Sequence, residues 1–139
     1  MKNIPWANPL FDKKEFNQIK KSFQKKQFTM GKNVVEFENN FSKIWNSRYS
    51  IAVSNGTVAL DLALKSISIK SGDEVIVPAV SYISTASAVS YQGAIPVFID
   101  ICPNVFSMDP SKIQKAITKK TKAIIYIDYG GIPADFKAI

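Results

Sequence analysis

Four consecutive residues, Ser54-Asn55-Gly56-Thr57, separate an apolar run from an alanine- and leucine-rich one in the stretch AVSNGTVALDLAL. Residues of these types suit the seating of an anion. Where a strand gives way to a helix, the first helical turn has unpaired N–H groups and carries a partial positive charge. Gly56 lets an anion come close to the backbone and the Thr57 hydroxyl adds a donor, which together make a phosphate seat. The same tetrapeptide also serves as an ordinary helix cap, with Ser54, Asn55 or Thr57 doing no more than satisfying those N–H groups. A second stretch, GDEVIVPAVSYISTASAV, sends a strand into a loop at Pro78 and begins a helix near Ser84, leaving Tyr82 on the loop. An aromatic ring there either lies flat over a planar ligand or packs as a core or rim aromatic.

These residues need elements to hold them, and the hydrophobic pattern supplies two kinds. Phe16, Ile19 and Phe23 recur at helical spacing with lysines opposite, and Val34, Phe37, Phe41 and Ile44 repeat the pattern after a turn at TMGKN. From Tyr49 onward the period changes. Short apolar runs at YSIAV, EVIVPA, IPVFID and TKAIIYID read as strands, separated by helical segments over 57–68, 84–92 and 110–118. Alternation of this kind predicts an α/β fold with a largely parallel sheet covered on both faces. Ser71-Gly72-Asp73 marks a turn before one strand, and Asp109-Pro110 opens a helix with a cap followed by proline at the first helical position. Ligands of open α/β sheets bind beyond the carboxyl ends of the strands, where both Ser54–Thr57 and Tyr82 are expected.

Composition removes several classes. The chain has 139 residues, 46% of them apolar and 21% charged, an ordinary balance for a folded domain and far from that of disorder. With no histidine and a single cysteine, Cys102, it has no intramolecular disulfide, no Cys/His zinc site and no histidine-dependent triad. A net charge of +7 would suit an anionic partner, and much of it sits in KKSFQKK and TKKTK. Such runs read as solvated faces, and without a nucleic-acid motif beside them no nucleic-acid partner is expected. MKNIPWANPLF has no signal-like apolar core and no run is long enough to cross a bilayer, so a soluble, cytoplasmic protein without a membrane partner is expected.

Taken together, FEN.F, AVSNGTVALDLAL, SGDEVIVPAVSYISTASAV, QGAIPVFIDI and TKAIIYIDYGGIPADF follow, in order and spacing, the N-terminal half of the DegT/DnrJ/StrS sugar aminotransferases. The chain resembles that family from IPWANPLFD to PADF. The resemblance implies the aspartate-aminotransferase-like (fold type I) large domain, with residues 1–47 as an N-terminal helical segment and 48–139 as the start of the α/β domain that binds pyridoxal 5′-phosphate. It places Asn55, Gly56 and Thr57 on the family's Ser-Gly-Thr phosphate loop and Tyr82 on the aromatic that stacks against the pyridine ring. Thr85 falls on a small hydroxyl residue at the start of the next helix, read as a cap, and Asp100 on a position read as structural. Asp128 stands where many members have the histidine of VHLYG, beside the substrate.

The resemblance also implies a nucleotide-linked keto sugar as acceptor, an amino donor that is usually glutamate, and a homodimeric parent. Its chemistry needs a lysine that forms a Schiff base with the cofactor and a carboxylate facing the pyridinium nitrogen. In the family both follow the PAD segment, and no lysine here stands in a matching context. GGIPADFKAI begins a segment and stops without a closing element. The expectation is therefore an N-terminal fragment that binds part of the cofactor but cannot transaminate alone. The alternative is a non-catalytic module of the same fold that binds an anion or a partner protein.

Overall fold

Two helices open the described chain. The computed structural model describes residues 5 and 8–139, so MKNIPWANPLF and IPWANPLFD, used above, lie partly outside it. Helix α1 (Lys13–Gln24) starts where Asp12 accepts the Lys14 N–H and Glu15 reaches back to the Asp12 N–H at 2.8 Å, a reciprocal capping box. Helix α2 (Lys32–Ile44) starts at Gly31 with no side-chain cap. Both are amphipathic as expected, yet neither contains a buried residue. Local aromatic pairs form instead: Phe23 meets Phe28 edge-on at 5.2 Å, and Phe41 stands between Phe37 at 5.9 Å and Trp45 at 6.1 Å.

The expected strand at YSIAV does not form. Tyr49–Ala52 has no ladder partner, and the Ala52 N–H donates instead to the Glu38 carboxylate at 2.8 Å. An apolar run becomes a strand only when a neighbour takes its backbone groups. Among the described residues the compact unit that ends at Ala52 has only helices as regular structure, and a second unit runs from Val53 to Ile139.

In the second unit the order is helix α3 (Gly56–Ser66), strand β1 (Glu74–Pro78), helix α4 (Ser84–Tyr91), strand β2 (Ile95–Ile99), helix α5 (Pro110–Ala116) and strand β3 (Thr121–Ile124). The sheet order is β2-β1-β3, and β1 pairs parallel with both neighbours. Val75, Ile76 and Val77 of the central strand are completely buried. Val75 and Val77 pack on one face with Leu64, Ile69, Ala88, Val89 and Ala94. Ile76 faces the other side with Ile99, Met108 and Ile113. A strand buried on both faces reads as a continuous apolar run, which is why EVIVPA was a clear strand signal.

Element ends differ from the sequence expectation for physical reasons. β3 stops four residues before Asp128: the Ile125 N–H still donates to the Ile76 carbonyl at 2.8 Å, but Pro78, two residues on in β1, has no N–H to give the next rung. α5 closes before Thr118, whose N–H is taken by the Thr121 hydroxyl at 2.9 Å. Asp109 caps α5 through the Ser111 N–H at 3.0 Å with proline in its first turn, as the sequence indicated.

Candidate functional site

The ends of α3 and α4 fix where the site lies. After α3 the chain turns through Gly72, whose N–H donates to the Gly93 carbonyl just after α4 at 3.3 Å. Gly93 has φ +70, and a Cβ on it would stand 3.2 Å from the Ser71 Cβ, so both its backbone and the close approach call for glycine. Beside this junction the Ile95 N–H, at the start of β2, donates to the Asp73 carbonyl, just before β1. Both helices therefore finish at the amino edge of the parallel sheet. Their first turns, at Gly56 and Ser84, lie at the carboxyl edge, where α/β sheets bind ligands.

At that edge Asn55 is the cap of α3. Its side-chain oxygen accepts the Val58 N–H at 3.0 Å and its carbonyl accepts the Ala59 N–H at 3.1 Å. Capping and anion binding are compatible here, because the cap takes the third and fourth donors and leaves the first two, on Gly56 and Thr57, to face outward. A Cβ added at Gly56 would meet nothing within 4 Å, and Gly56 has no left-handed φ. Neither chain packing nor backbone conformation asks for glycine at that position, in contrast to Gly93.

Tyr82 lies on the loop from β1 into α4 and is 75% exposed, so it is not a core aromatic. Its carbonyl accepts the Thr85 N–H at 3.0 Å and the Ser81 hydroxyl at 3.2 Å, which fixes the loop backbone under an exposed ring. Thr85 does not cap. The cap position of α4 is Ile83, which makes no side-chain cap bond, and Thr85 is buried as the second residue of the helix.

Two carboxylates follow the other strands at the same edge. Asp100 leaves β2, accepts the Ile101 N–H at 2.9 Å and pairs with Lys112 of α5 at 2.9 Å. The Lys112 hydrogen bond, helped by the Ile101 N–H, holds its carboxyl below the usual value. Asp128 follows β3 and accepts the Ala134 N–H at 2.9 Å, closing a turn through Gly130 and Gly131, both at positive φ. One oxygen of Asp128 is thus committed to shaping its loop. Sequence reasoning missed a link between the helices, in which the Gln92 amide at the end of α4 donates to Asp61 in the middle of α3. The two residues are 31 positions apart, and no local pattern joins them.

The chain belongs to the DegT/DnrJ/EryC1/StrS aminotransferase family, whose model matches residues 9–139. It is 36% identical over 136 residues to spore coat polysaccharide biosynthesis protein SpsC of Bacillus subtilis, an alignment covering 98% of this chain and 35% of that one. It is 39% identical to GDP-perosamine synthase of Escherichia coli O157:H7, covering 100% of this chain and 38% of that one. Among solved structures, the E. coli GDP-4-keto-6-deoxy-D-mannose-3-dehydratase with bound hydrated PLP superposes with a TM-score of 0.91 at 34% identity, over 98% of this chain and 36% of that one. The α/β fold with a parallel sheet and flanking helices is thus that of the first part of these enzymes. The chain spans about a third of the length of the curated relatives it matches.

Proposed function

We propose that Gly56, Thr57 and Tyr82 form the phosphate- and ring-binding part of a pyridoxal 5′-phosphate site, with Asn55 setting the helix turn that presents it. The enzyme to which this part belongs aminates a nucleotide-linked keto sugar, takes the amino group from glutamate, works in the cytoplasm as a homodimer, and serves amino-sugar synthesis for surface polysaccharide. Family membership and the names of the relatives support that reading, and the Schiff-base lysine then belongs to the two thirds of the relatives' length not matched here. The observation that carries it is Gly56. A glycine with open space at its Cβ, beside two helix-terminal N–H groups, leaves room for an anion to reach the backbone.

The residues present fit the cofactor. A phosphate monoester takes the N–H groups of Gly56 and Thr57 and the Thr57 hydroxyl. The exposed ring of Tyr82 covers one face of a planar heterocycle and keeps water off it. Asp128, four residues beyond β3, is the carboxylate that meets substrate in this reading, through the oxygen not bonded to Ala134. When bound, the cofactor supplies an aldehyde and an electron-accepting ring for exchange of an amino group.

The test is titration of the chain with pyridoxine 5′-phosphate, which has no aldehyde to react with surface lysines, against pyridoxine, which lacks the phosphate. The phosphorylated compound is expected to bind more tightly, with Thr57→Ala and Tyr82→Ala each weakening it on the order of tenfold. Unchanged affinity in both variants would overturn the assignment.

A further inference from the structure

We infer that Asp61 and Gln92 are positioning residues that set the distance between the phosphate seat and the stacking ring. This rests on the site proposed above. The seat is the first turn of α3 and Tyr82 lies on the loop leading into α4, so the spacing of the two half-sites is the axial offset of one helix along the other. Leu64, Ala88 and Val89 pack the helices together, but aliphatic contacts are non-directional and tolerate a small slide. The Gln92-to-Asp61 hydrogen bond does not. It is the one side-chain hydrogen bond joining α3 to α4 among the described residues, and it is half-buried.

Asp61 is itself held on its other oxygen. Lys65, one turn along α3, bonds that oxygen at 2.8 Å. This hydrogen bond, and the charge of Lys65, keep the carboxyl below its usual range, so Asp61 is an anion at neutral pH and a strong acceptor for the Gln92 amide. Bonds at both oxygens fix the rotamer, and the residue after Gln92 is tied as well, the Gly93 carbonyl accepting the Gly72 N–H. With the C-terminal end of α4 tied through Gln92 to the middle of α3, the helices present Thr57 and Tyr82 at a set spacing. Pre-set spacing of this kind matters only for a ligand that touches both sides.

The test compares two probes on the chain. Inorganic phosphate touches the seat alone, while pyridoxine 5′-phosphate spans seat and ring. Asp61→Ala and Gln92→Ala are each expected to weaken pyridoxine 5′-phosphate roughly fivefold and to leave inorganic phosphate unchanged. Asp61→Asn, which keeps an acceptor for Gln92, is expected to restore most of the loss. In a Tyr82→Ala background Asp61→Ala is expected to lose its effect on pyridoxine 5′-phosphate, because no second contact remains to be spaced. Equal loss for both probes would mean a general fault in folding and would overturn the inference. So would unchanged affinity for pyridoxine 5′-phosphate in a chain that does respond to Thr57→Ala and Tyr82→Ala. A chain that responds to neither of those would overturn the site and this inference with it.

Discussion

The two halves of the chain put their apolar side chains to different ends. In residues 12–52 the apolar stripes of α1 and α2 are regular, yet Phe16 is 67% exposed and Phe37 58% exposed. In Val53–Ile139 the apolar residues close two cores around β1, one on each face. A helical stripe declares which face must be covered, whereas a parallel strand flanked by helices covers its neighbours as it forms. Amphipathicity is a statement of need, and burial is the statement of how it is met.

The widest gap between the two halves should appear on truncation of a single side chain. Ile76→Ala removes a fully buried side chain from the central strand and is expected to destabilise the second unit by about 2–5 kcal/mol. Phe37→Ala on α2 is expected to cost under about 0.5 kcal/mol. Denaturant midpoints read by hydrogen exchange at individual amides would check both. A Phe37→Ala cost as large as that of Ile76→Ala would show that the helical unit has a core of its own.

A smaller contrast lies in two glycines. Gly93→Ala puts a Cβ at φ +70 and against Ser71, an expected loss of about 1–2 kcal/mol. Gly31 begins α2 in extended backbone with only the Thr29 carbonyl near, at 3.7 Å. There Gly31→Ser is expected to change stability by a few tenths of a kcal/mol at most. Thermal melts of the two variants would separate a glycine required by shape from one that is merely tolerated.

The smallest effect is electrostatic and also sorts the halves. Asp61 and Asp100 are held below their ordinary value of 3.8 by hydrogen bonds from Lys65 and Lys112, and Asp109 by one from Ser111. A carboxyl lowered on folding stabilises the fold above 3.8, and that contribution is lost as pH falls through the lowered value. Lys112 is raised above 10.5 by the same pair with Asp100, so its share is present below 10.5 and lost as pH rises through the raised value. These groups are all in the second unit, while Asp12, lowered by the Lys14 N–H, is the counterpart in the first. Acid titration of the Asp100→Asn variant should show a shallower fall in denaturant midpoint than the unaltered chain. An identical fall would remove Asp100 from the account.

Much of this was legible in the sequence, and the parts that were not share a cause. The strands EVIVP and IPVFI, the cap at Asp109-Pro110 and the turn before β1 follow from local chemistry, and local chemistry is visible in a sequence. YSIAV looked like a strand because strand character was read from side chains, while strand formation depends on a neighbour's backbone. TKAIIYID reads as a longer strand than forms because the limiting residue, Pro78, lies in another strand. Residue type before a helix singles out Asn55, Gly56 and Thr57, and a place after a strand singles out Tyr82, while the cofactor role proposed for them comes from the family resemblance. Thr85 reads as a cap and is not one, since a hydroxyl near a helix start suggests a cap whether or not it is buried. The Gln92 link to Asp61 joins two surface-type residues far apart in the chain, and nothing near either of them announces the other.

The Gly72–Gly93 junction gathers the constraints on α3 and α4 at one end. A pair of rods clasped at the base and packed along their sides carries the offset set at the clasp through to the tips. The tips are the turns that carry Thr57 and Tyr82. Anchorage and recognition are thereby given opposite ends of the same sheet.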